Sequence, residues 1–113
     1  MSKHTPDSWI IVKIQSKTYG TLYKVLAGWS GSYLYGASWK ISSGIVTLED
    51  KGEYYESLHD SGSTYVLYKS SERMIAIMAG AFASFEEQLK GIDGTIEVID
   101  SGDYVNNSKG ANE

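Results

Sequence analysis

The chain contains no cysteine. That excludes a disulfide framework, a thiolate metal site and a cysteine nucleophile. Proline and arginine occur once each, as Pro6 and Arg73, and histidine only twice, as His4 and His59. No uninterrupted apolar run approaches the roughly 20 residues that span a bilayer. The opening MSKHTPDSW lacks the apolar core of a signal peptide. A cytoplasmic protein with no membrane partner is therefore expected. Neither the Walker phosphate pattern, the dinucleotide glycine fingerprint, a calcium-loop pattern nor a zinc-ligand spacing occurs. His59, Asp60 and Ser61 carry the names of a hydrolytic triad, but they are adjacent in sequence. A triad needs convergent geometry, and neighbours on an extended chain point to opposite faces. They read as a turn. The acidic stretch Glu49, Asp50, Glu53 and Glu56 reads as a solvated hairpin edge that resists aggregation. A non-enzyme with no catalytic residue, no metal and no cofactor is expected.

What is present fits one soluble domain. The 113 residues are 42% hydrophobic and 21% charged, enough for a core without staples. WIIVKIQ alternates, with Ile10, Val12 and Ile14 on one side and Trp9, Ile11, Lys13 and Gln15 on the other. Ser16 to Gly20 reads as a turn, and TLYKVLAGW as the second strand of a hairpin. WKIS, GIVTLED, EYYESLH and STYVLYK follow as short strands between glycine-containing turns. The expected architecture is α+β: a mostly antiparallel sheet of five or six strands, a meander or barrel-like, followed by one helix. Residues 9–100 form the domain, 1–8 a flexible leader and 101–113 a polar, disordered tail, after a last strand at TIEVID.

The helix is expected over about 71–90. Ile75, Met78, Phe82, Phe85 and Leu89 share one face, widened by Met74, Ile77 and Ala81. Ser70 or Ser71 is the expected N-cap, Glu72 suits the positive helix end, and Glu86 and Lys90 are spaced to pair. Gly91 is expected to stop the helix in the left-handed conformation. A second face is small: Ala76, Ala79, Gly80 and Ala83. Gly80 costs about 1 kcal/mol of helix propensity. Close packing is the usual compensation, either on the sheet or on a second copy of the helix.

The densest cluster of unusual residues is GWSGSYLYGASWKISSG, Gly28 to Gly44. Six of the fourteen aromatics lie between Tyr19 and Trp39. Charge is also uneven. Residues 1–48 hold five lysines against Asp7, a net of +4, and residues 49–113 carry a net of −8. With −4 overall, long nucleic acid is a poor partner, because phosphate contacts dominate such affinity. A small anionic, nucleotide-like ligand needs only two or three contacts. Lys40, Ser42, Ser43 and Gly44 can supply an ammonium, hydroxyls and turn amides. Trp29, Tyr33, Tyr35 and Trp39 can stack on a base. The same Tyr, Trp, Ser and Gly mixture also suits a protein interface. Plain strand packing is the third reading of these residues.

YKVLAGWSGSYLYGASWKISSGI, Tyr23 to Ile45, resembles a segment of small phage-encoded accessory proteins. GSTYVLYKSSERM, Gly62 to Met74, is similar to their hairpin-to-helix junction. The likeness covers most of residues 9–90. It implies a viral protein acting in the host cytoplasm as a non-enzymatic inhibitor of host defence. Such a protein either sequesters a nucleotide signal or blocks a host protein. It carries no site residues with it. The expected function is capture of a small anionic ligand by the Trp29–Gly44 segment in a homo-oligomer. The alternative is an inhibitor or adaptor that binds a host protein through the same surface.

Overall fold

Apolar residues on both sides of WIIV require cover on both sides, and the fold supplies it with a sheet and a helix. The computed structural model describes residues 3–31 and 36–111. Among these, the strands are β1 (Lys3–His4), β2 (Ser8–Ser16), β3 (Gly20–Trp29), β4 (Ser38–Ile41), β5 (Ile45–Asp50), β6 (Tyr54–His59), β7 (Thr64–Tyr68) and β8 (Thr95–Ile99). The helices are α1 (Ala76–Lys90) and α2 (Ser101–Ala111). The strands form two four-stranded sheets, a central one in the order β4-β3-β2-β8 and an outer one in the order β1-β7-β6-β5. Every pairing is antiparallel except β1 with β7, which is parallel. The α+β class is as expected. The strands number eight rather than five or six, and the described residues form two packed sheets, with β5–β6–β7 a meander in the outer one and no closed barrel.

Alternation along β2 fixes the layers. Trp9 and Ile11 point between the sheets and join Val25, Ala27, Tyr55, Tyr65 and Leu67 in one core. Ile10 and Val12 point the other way and join Leu26, Met78, Ala81 and Ile96 beneath α1. The order is thus outer sheet, central sheet, α1. Each fully buried aliphatic side chain contributes about 1.5–3 kcal/mol. Trp9 is wholly buried, and its indole N–H donates to the Tyr68 carbonyl at 2.8 Å, which ties the sheets together. Gly28 permits close approach of the helix: a Cβ there would lie 2.6 Å from Met78 Sδ and 2.7 Å from Met78 Cγ.

The face expected for α1 is the face it buries, from Ile75 through Met78, Phe82 and Phe85 to Leu89. Its start is later than expected, at Ala76 rather than 71. A 3-10 turn occupies Lys69–Ser71, and Ile75 takes the cap position without a side-chain hydrogen bond. Residues 72–75 are used otherwise. Glu72 bridges to Trp9, and its carboxylate accepts from the Ser101 amide at 2.9 Å and the Ser101 hydroxyl at 2.6 Å. At the far end Gly91 is right-handed, and the left-handed residue is Asp93, with φ 54°. Lys90 pairs with Glu87 at 3.3 Å instead of Glu86. The small face does not pack on the sheet: Ala76, Ala79, Gly80 and Ala83 are exposed, and nothing lies within 4 Å of a Cβ built on Gly80.

Residues of both flanking segments enter regular elements. The leader supplies β1, and Pro6 is buried. The polar tail forms α2. Asp100 caps it by accepting from the Gly102 amide at 2.9 Å and the Asp103 amide at 3.3 Å. Tyr104 stacks on Tyr23 with centroids 5.1 Å apart, and Tyr104 and Val105 pack on the inter-sheet core. Among the described residues no helix is long and apolar enough to cross a membrane.

Candidate functional site

Register divides the expected ligand segment between two faces of the central sheet. Gly28 opposes Trp39, Ala27 opposes Lys40 and Trp29 opposes Ser38. Gly28 faces α1, so Trp39 does as well. Its ring meets Phe85 edge-on at 5.5 Å and stays 42% exposed. Ala27 and Trp29 face the outer sheet, and Lys40 shares that side. One ligand therefore does not contact Trp39 and Lys40 together, because adjacent strand residues diverge. Tyr33 and Tyr35 lie outside the described residues.

Ser42, Ser43 and Gly44 form the corner where the chain leaves the central sheet for the outer one. Ser42 is buried. Its amide donates to the Val25 carbonyl at 2.9 Å, and its hydroxyl oxygen accepts from the Val25 amide at 2.8 Å. The hydroxyl thus replaces a carbonyl at the last rung of the ladder. Ser43 Oγ accepts from the Ser61 amide at 3.0 Å, and the Gly44 carbonyl accepts from the Asp60 amide at 3.0 Å. A Cβ on Gly44 would sit 2.6 Å from Asp60 Oδ2. These three residues, expected as ligand donors, spend their polar groups on the corner itself, Ser42 holding it to β3 and Ser43 and Gly44 to the turn at residues 60–61.

Trp29, and the charge of Lys40, instead lie near His4, a residue of the expected flexible leader. β1 pairs His4 with Tyr65. The two rings lie 4.8 Å apart, and Trp29 stands edge-on to His4 at 6.4 Å. Tyr65 is 1% exposed. His4 Nε2 and the Tyr65 hydroxyl are both cut off from water and have no hydrogen-bond partner among the described residues. An unpaired buried polar group costs about 1–3 kcal/mol, so two in contacting residues are unusual. Burial, and next the charge of Lys40, push the His4 imidazole below its usual range. Burial pushes the Tyr65 phenol up. Burial thus favours the neutral form of both rings.

Behind Tyr65 lies a second buried polar set. Ser57 Oγ is 2.7 Å from His59 Nε2, and His59 Nδ1 is 3.0 Å from the Ser43 carbonyl. That carbonyl only accepts, so Nδ1 carries the proton and Ser57 donates to Nε2. The spacing is that of a nucleophile and its base. Ser57 is wholly buried and His59 is 2% exposed, so no substrate reaches the hydroxyl. Burial lowers the His59 pKa against the opposing pull of the Ser43 carbonyl and Asp60. The pair clips the corner to β6. The acidic stretch is also occupied: Glu49 pairs with Lys51 at 2.9 Å and Asp50 with Lys69 at 2.8 Å. Among the described residues no group of three or more His, Asp and Glu side chains is placed to hold a metal.

Compared with known protein families, curated proteins and solved structures, the chain matches none. Its class is defined by the fold alone: an α+β protein of two packed sheets with a helix on the outer face of one.

Proposed function

We propose that the protein is a non-enzymatic binding protein for a small anionic, nucleotide-like ligand, held at the mouth between the sheets. Lys40 takes the anionic group and Trp29 offers a ring face to the base, with the His4 and Tyr65 rings packed behind them as support. The observation that carries this reading is the register of β3 with β4, which puts Trp29 and Lys40 on one side of the central sheet beside the His4 ring. Trp39, Ser42, Ser43 and Gly44 are outside this reduced site. The protein acts as a homo-oligomer, for which the +4 and −8 halves provide complementary charge. In the setting that the phage resemblance implies, the ligand is a nucleotide signal of the host.

Isothermal titration with adenosine monophosphate tests the site. Saturable binding is expected, about tenfold weaker in Lys40→Ala and in Trp29→Ala and unchanged in Trp39→Ala. Absence of binding up to millimolar nucleotide, or sensitivity to Trp39→Ala alone, refutes it. Native mass spectrometry of the gently purified protein reads retained ligand and subunit number together. A second reading, a protein-directed inhibitor, draws on the exposed Trp39 on β4, an edge strand of the central sheet. It predicts the opposite pattern, with a host-protein complex lost in Trp39→Ala and indifferent to Lys40→Ala.

A further inference from the structure

The central sheet carries a second opening, on the side away from the proposed nucleotide site. α1 seats closely at one end, where Met78 meets Gly28, and again at Gly94, whose added Cβ would lie 2.9 Å from Leu89 Cδ2. Between these contacts β4 ends at Ile41, because Ser42 turns inward to bond Val25. Beyond that point β3 has no neighbour on its β4 side among the named strands. The floor is left incomplete beside Phe85 and Leu89. The result is a groove of about 350 Å³, lined by Ile14, Ile41, Phe85, Leu89 and Ile92, with Lys24 and Gln88 as its polar residues. That volume falls within the range of small-molecule sites, about 300–1,000 Å³.

Lys24 is the unexpected lining residue. It opposes Val12 in the β2–β3 ladder and shares the α1-facing side with Leu26. It is half-buried, yet it makes no ion pair within 4 Å among the described residues. Lys13, Lys51, Lys69 and Lys90 all do, and the other lysines without such a pair among the described residues, Lys3, Lys17 and Lys40, are exposed. No acidic side chain lines the groove. A lysine in this position lays its stem along apolar walls and holds its ammonium at the rim. An apolar trough with one unpaired cation at its edge matches an apolar body with one anionic head.

We infer that this groove is a binding site for a free amphipathic carboxylate, its chain lying between Ile14, Ile41, Phe85 and Leu89 and its head on Lys24, with the Gln88 amide as a second donor. The site is independent of Lys40 and Trp29, which lie on the opposite face. Decanoate, kept below its micelle concentration, is the probe, read by two-dimensional amide NMR of the full chain. Saturable shifts are expected at Ile14, Lys24, Ile41, Phe85, Leu89 and Ile92. Lys24→Ala should weaken binding about tenfold, and Lys24→Arg should restore most of it. The fold is not at risk, since Lys24 is half-exposed and the spectrum reports folding directly. Lys40→Ala should leave decanoate affinity unchanged. No saturable shift, shifts that map away from the groove, or equal affinity in Lys24→Ala each overturn the inference. None of these outcomes depends on whether nucleotide binds between the sheets.

Discussion

Gly28→Ala adds a single methyl group where α1 crosses β3. An ideal Cβ would lie 2.6 Å from Met78 Sδ, 2.7 Å from Met78 Cγ and 3.2 Å from Ile75 Cδ1. Ordinary contact begins near 3.5 Å. Met78 is wholly buried, so its side chain has no free space into which to swing. The helix must lift or Met78 must leave its rotamer, and such overpacking costs about 1–3 kcal/mol. Alanine returns part of this, because it restricts the unfolded chain by about 0.4–1 kcal/mol relative to glycine. A net loss of about 1–2 kcal/mol is expected in urea unfolding followed by far-UV circular dichroism. The double variant separates this cause from others. Met78→Ala alone should cost about 2–5 kcal/mol as a cavity. With the Gly28 methyl filling part of that cavity, the two losses should sum to clearly less than their separate values. A neutral or stabilised Gly28→Ala protein, or strict additivity in the pair, would refute the close helix–sheet approach.

Two further outcomes concern the buried polar cluster. His4 and His59 both bind a proton less readily in the folded protein than at their ordinary pKa of 6.5. The unfolded chain therefore protonates first as pH falls. Stability should be full above about pH 7 and decline below 6.5 towards the lowered folded values, seen as a falling urea midpoint between pH 7.5 and 5.5. A midpoint that rises on acidification contradicts the assignment of neutral buried rings. Tyr65→Phe removes a buried hydroxyl with no partner among the described residues, so it should raise thermal stability or leave it unchanged. Loss of stability in this variant would mean that the hydroxyl is already satisfied.

Local patterns in the sequence carry the strands and the helix face. WIIVKIQ and the spacing from Ile75 to Leu89 determine β2 and the buried side of α1, because both follow from the repeat of one element. Pairings between distant segments are not written in any local period. His4 enters the structure only through its parallel pairing with Tyr65, sixty-one positions away, and a two-residue strand beside Pro6 gives no alternation to read. The same limit applies to α2. Its composition is polar, and its stability comes from Glu72 and Asp100 at its start and from Tyr23 against Tyr104. The Asp-Ser-Gly-Asp cap and the Tyr104–Val105 pair were the available signals. In the Trp29–Gly44 segment the residue types were legible but not their sides. Alternation alone separates Trp39 from Lys40, and only the register of β3 with β4 says which of them meets His4.

The place of β2 bears on how the chain is made. β2 lies between β3 and β8 in the central sheet, and residues 95–99 that cover its second edge come late in synthesis. The β2–β3 hairpin and the β5–β6–β7 meander close through short loops and can form as they emerge. Until β8 arrives, a strand apolar on both faces presents an open row of amides and carbonyls to any neighbouring chain. Premature termination before residue 95 would leave that edge unpaired for good. Such truncated products should be cleared or aggregate, which makes residues 95–99 the segment that closes the sheet.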